Sequence, residues 1–126
     1  MGGVSFHTIV SKELQLGGCE FEQGMIALEG GKTVKAGTIL KRADERKFAV
    51  AEPDDTFIAV VPFDMANADP NDAILGFRAI ISGRVRRDML NVNGTTPITS
   101  AQADNLRANG NIIAVESTDI SRASPS

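Results

Sequence analysis

His7 and Cys19 are the single histidine and the single cysteine of this chain. A thiol and an imidazole can form a nucleophile–base pair, so acyl-transfer chemistry is the first thing to test for. The segment joining them is glycine-rich, and neither flank supplies a carboxylate motif to orient the ring. A structural zinc site fails on number, because it takes four Cys or His ligands. His7 therefore reads as a surface or partner-contact residue in an extended N-terminal piece. Cys19 reads as a lone thiol outside any internal disulfide framework, as a reducing compartment allows.

Three further groupings have chemical types at suggestive spacing. "EGGKT", residues 29–33, resembles the end of a phosphate-binding loop, but Ile26 stands where its first glycine belongs. Val34 and Ile39 then read as strand where that motif needs a helix. Asp69 and Asp72 flank Pro70-Asn71 without the alternating acids and distal Glu of a calcium loop. Asp69 is better explained as bonding its own following backbone in a turn, with a weak divalent ion left open. "GRVRR" places Arg84 and Arg86 on one face of a strand, with Val85 opposite.

The whole-chain charge of −3 opposes nucleic acid and anionic lipid, so those arginines read as a subunit interface against the acidic stretch or as a solvated strand edge. No Lys or Arg occurs between Lys47 and Arg78, while Glu52, Asp54, Asp55, Asp64, Asp69 and Asp72 all do. That stretch is either a set of solvated loops or a surface complementary to a basic partner. Aromatics are 5% and all Phe, which weakens stacking of sugars or bases. No apolar run approaches the ~20 residues that cross a bilayer. "MGGVSF" lacks the Ser or Thr that myristoylation wants at position 6. The residues imply a soluble, non-enzymatic chain with no cofactor, no membrane contact and no direct nucleic-acid contact.

The elements that would hold these residues are mostly strands. At 126 residues one domain is expected, with an N-terminal arm over 1–12, a core over 13–116 and a polar tail over 117–126. Val4, Ser5, Phe6, His7, Thr8, Ile9 and Val10 alternate as an extended segment does. "LGGCEFEQG" reads as a break, "MIAL" as a short strand and "TVKAGTIL" as a strand pair or a bent strand. "TFIAVVPF" is a near-continuous apolar run, as in a strand covered on both faces. "ADPNDAILGFRAIISGRVRRDML" has Ile74, Phe77 and Ile81 at helical spacing, but Gly76, Gly83 and Ile80-Ile81-Ser82 favour extension, and it reads as a strand through about Arg86.

One helix is expected over about 100–108. Thr99 caps it, Gln102 completes a capping box, and Gly110 stops it in the left-handed conformation. So short a helix needs a sheet beneath it, with Ala101 and Leu106 as the contacts. The fold class is α+β, mostly β: a small β-barrel or β-tulip-like domain with one helix packed late.

The order of these segments adds a resemblance. Ala36 to Leu40 ("AGTIL"), Gly83 to Leu90, Ile98 to Gln102, and Gly110 with Ile112 two places on recur in one order. That order resembles the phage lambda head decoration protein family over roughly residues 33–116. Asn111 between the helix-stop glycine and its isoleucine, and a longer N-terminal region, depart from that pattern.

The resemblance implies a cement for the outside of the expanded icosahedral capsid, located on the virion and made in the bacterial cytoplasm. Its partners would be the major capsid protein and itself, as a homotrimer at local three-fold positions. The family pattern assigns no catalytic group. In this chain, Val4 to Val10 would add as a strand to the coat protein. Phe57, Val61, Phe63, Arg84 and Arg86 would form the trimer interface. The competing reading is a small-ligand-binding β-barrel; a lipoyl- or biotinyl-carrier domain fails for want of a suitably flanked hairpin lysine.

Overall fold

In the computed structural model, residues 14–93 and 96–116 are described. Two long strands organise everything else. β1, Gln15–Leu28, and β7, Ala73–Arg86, pair antiparallel over almost their whole lengths. Residues 16–24, expected to break the chain, instead lie within β1. Gly17 and Gly18 are absorbed by register shifts between Gln15 and Phe21 rather than by a turn. Opposite this irregularity, Gly83 has φ +121°, and a Cβ there would lie 2.6 Å from Cys19 Cα. Two backbones this close leave room only for glycine.

The barrel closes around that pair. β2, Thr33–Val34, is followed by a turn in which Thr38 N–H donates to Lys35 O. β3, Ile39–Asp44, then pairs antiparallel with β4, Lys47–Val50. β4 lies parallel to β1, and β3 also pairs with β5, Ala59–Val60. β5 meets β7 at Val60 and Ile80. The ring β1-β4-β3-β5-β7 is therefore a closed five-stranded barrel. β6, Met65–Ala66, pairs with β2, and β8, Asn91–Val92, with β9, Thr96–Pro97.

The helix α1, Ser100–Gly110, starts where the sequence sets it: Gln102 N–H donates to Thr99 Oγ1, and Thr99 N–H donates to Gln102 Oε1. It runs to Gly110, and Asn111, not Gly110, takes the left-handed position with φ 53°. Asn tolerates that region better than most residues, so the stop moves by one residue. Leu106 is fully buried as expected, but Ala101 is exposed and Ala103 packs in its place. Ala103 and Leu106 are three apart, which puts them on one face, whereas Ala101 is two from Ala103. β10, Ile112–Val115, then lies parallel to β7.

Two hydrophobic cores result, on opposite sides of one wall. Leu40, Ala59, Val61 and Ala79 face the barrel interior, with Ile26, Phe48 and Phe77. Their chain neighbours Ile39, Val60 and Ile80 face the other way, toward Leu106 and Ile112. At Ile39–Leu40, Ala59–Val60 and Ala79–Ile80 the wall thus buries both faces, which is why residues 57–62 are apolar throughout. Only Ala59–Val60 of that run has regular strand pairing.

Candidate functional site

The residues singled out for chemistry are dispersed. Cys19 is half-buried, and its Sγ lies 3.7 Å from Arg84 O and 3.8 Å from Gly17 O. Its proposed partner His7, with the whole arm from Val4 to Val10, lies outside the described residues. Asp69 Oδ1 accepts from Asn71 N–H at 2.9 Å, the local turn expected of it. Asp72 Oδ1 instead accepts from Gly30 N–H at 3.3 Å, across to the end of β1. Among the described residues, no three Cys, His, Asp or Glu side chains converge as metal ligands would.

The expected trimer surface does not hold together. Phe57 and Val61 are both fully buried within their own chain, Phe57 under α1 and Val61 inside the barrel. The run looked too apolar for a modest core; it serves two cores, one on each face. Phe63, the last residue of the run, is 53% exposed and open to a partner. Arg84 is exposed, but Arg86 is half-buried and paired with Asp88 at 3.3 Å. Its neighbour Arg87 is committed too, to Glu116 at 2.6 Å.

The barrel itself is filled by its own side chains. Phe48 and Phe77 meet edge-on at 5.8 Å between ring centres. Above them, Arg42 lies 4.7 Å over the Phe48 ring and makes a two-pronged pair with Glu22, at 2.8 and 3.3 Å. That pair covers the end of the interior with charge-assisted bonds. Among the hollows on the outside, one of about 580 Å³ is lined by Gln23, Met25, Arg46 and Gly76, and another of about 330 Å³ shares Met25.

That outer face of β1, β4 and β7 was not read from the sequence. Its residues alternate with buried Gly24 and Ile26, and the expected break at 16–24 hid the alternation. A period-two count started at Gln23 would have found it.

Free backbone is the other feature of the surface. The outer edge of β1 over residues 15–24 has no strand beside it among the described residues, and neither does the outer edge of β10. Ile113 of β10 is 41% exposed. Compared with known proteins, the chain matches no family model, no curated protein and no solved structure.

Proposed function

We propose that this chain is a head decoration protein of the phage lambda type, a cement on the outer surface of an expanded icosahedral capsid. The observation that carries the reading is the ordered run of motifs from Ala36 to Ile112. Its parts fall on coherent places in the fold: β3 and its turn, the end of β7, the cap of α1 and the start of β10. A filled barrel with unpaired strand edges suits adhesion, because main-chain donors and acceptors are available for strand addition.

In this reading the segment Val4 to Val10 adds to an exposed strand edge of the major capsid protein. Three arms in a homotrimer would multiply a weak contact by about 10²–10⁴ where geometry permits. A chain that binds the expanded lattice and not its dissociated subunits stabilises the shell by mass action. Phe63 and Arg84 remain as exposed candidates for contact within the trimer.

The test is co-sedimentation with expanded, undecorated capsids. The intact chain is expected to pellet with the shells and to raise their resistance to heat. Deletion of residues 1–12 is expected to remove most of that binding. An intact chain that stays in the supernatant overturns the proposal; a deletion that still pellets removes the arm from it.

A further inference from the structure

The outward face of the β1–β7 pair carries a graded ladder. Gln23 lies opposite Arg78, Met25 opposite Gly76, and Ala27 opposite Ile74. One rung beyond the last paired residues stand Glu29 and Asp72, both exposed. Asp72 is held at that end by the bond from Gly30 N–H. Successive outward rungs are two residues apart, so the ladder is about 20 Å long at roughly 3.3 Å per residue. It runs from cationic through apolar to dianionic.

Neighbouring residues reinforce both the charge and the apolar middle. Lys47 is paired beside Met25, and Arg46 O accepts from Met25 N–H. Both cations are exposed. Ile74 is 60% exposed, well above Phe21 at 38%, although β7 buries its other face. Arg78 has no ion-pair partner among the described residues, unlike Arg42, Arg86 and Arg87.

We infer that this face docks on the same face of a second copy about a two-fold axis, with the strands of the two copies running in opposite directions. A two-fold contact uses one patch twice, so the patch must complement itself. Reversing the strands lays Arg78 over Glu29 and Asp72 of the other copy. The apolar middle falls on the apolar middle. Parallel strands would stack like charge on like, so the gradient selects one orientation. Sheets packed face to face sit about 10 Å apart, and the absent side chain of Gly76 at the centre permits that approach.

The patch is smaller than the roughly 20–30 residues a side of a stable interface, so the contact is weak in free solution. It becomes effective where copies are already held as neighbours, as short tethers raise local concentration to about millimolar. The inference does not depend on the capsid reading, although a shell would supply such neighbours.

Sedimentation of the full chain from micromolar to millimolar concentration tests it. The mass is expected to double with concentration, and added salt is expected to reverse the doubling by screening the rim pairs. A Cβ at Gly76 meets nothing within 4 Å, so Gly76→Arg leaves the fold intact while placing an unpaired charge at the centre. It should raise the dissociation constant by about 100-fold or more. Arg78→Glu should weaken association, Arg78→Glu with Asp72→Arg should restore it, and Arg84→Glu should leave it unchanged.

A mass that never doubles, or doubling that survives Gly76→Arg, overturns the inference. Neither result bears on shell binding by the intact chain. Conversely, shells that ignore the intact chain remove the cement reading and leave the two-fold contact standing.

Discussion

Strand β7 passes through two environments. From Ala79 to Val85 it belongs to the wall between the cores, with Ala79, Ile80 and Val85 all fully buried. From Ala73 to Arg78 it buries only Phe77 and part of Leu75, and its other face carries Ile74, Gly76 and Arg78 into solvent. In the wall the fold accounts for Ala79, Ile80 and Val85, because each removes apolar surface from water. On the ladder the fold requires only the inward residues. The outward ones are free to record what the surface meets.

Substitution across that divide should give the widest contrast. Phe57→Ala empties a fully buried site in the wall and should cost about 3–5 kcal/mol. Ile74→Ala on the bare face should stay within roughly 0.5 kcal/mol in dilute solution. Urea unfolding of both variants checks the pair; comparable losses would mean that Ile74 is part of the core and the division is false. Glycines repeat the contrast more gently. A Cβ at Gly24, on the inward face, would fall on the Phe48 ring, whereas one at Gly76 is in open space. Gly24→Ala should cost about 1–3 kcal/mol by overpacking, and Gly76→Ala close to nothing.

The same divide separates what the sequence made legible from what it did not. α1 was readable because capping is local chemistry: Thr99 and Gln102 satisfy each other within one turn. The double burial at the centre of "TFIAVVPF" was readable because no polar residue stands between Thr56 and Asp64. Its destination was not, since Phe57 is covered by a helix some fifty residues later, and no local pattern reports that. β1 was lost for a different reason. Gly17 and Gly18 look like a turn, but they sit in a bulge that keeps the strand going against β7. The ladder needs both strands and their register, so alternation in either one alone was only half of it.

The wall depends on its cover, and α1 is the cover most easily loosened. Thr99→Ala removes the acceptor for Gln102 N–H and should cost about 1 kcal/mol. Asn105 adds a second tie, accepting from Phe57 N–H at 3.2 Å and donating to Asp55 O at 2.9 Å. Asn105→Ala leaves the Phe57 amide without that partner and should cost about 1–3 kcal/mol. Hydrogen exchange should show both losses at Phe57 to Val60 before they reach the β1–β7 rungs at residues 23–27. Simultaneous loss in both regions would make the two cores one cooperative unit.

The smallest effect concerns pH, and it acts where the chain enters the wall. Asp55 accepts from Glu52 N–H at 2.8 Å and pairs with Lys41 at 3.1 Å. The backbone bond first, and the lysine second, hold its carboxyl below the ordinary carboxylate value. A depressed folded-state value means the ionised form is favoured by folding. Its contribution is therefore complete above the unfolded-state value and disappears as pH falls through the folded-state one. Asp55→Asn should lower the melting temperature slightly at neutral pH, and the gap should close in acid below the ordinary range. Because the pair is partly solvated, salt should narrow the gap as well. A gap that persists unchanged in acid would assign the loss to shape in the 52–57 turn rather than to charge. The ladder predicts the opposite control: Asp72→Asn should alter self-association and its salt dependence while leaving the melting curve of the dilute chain in place.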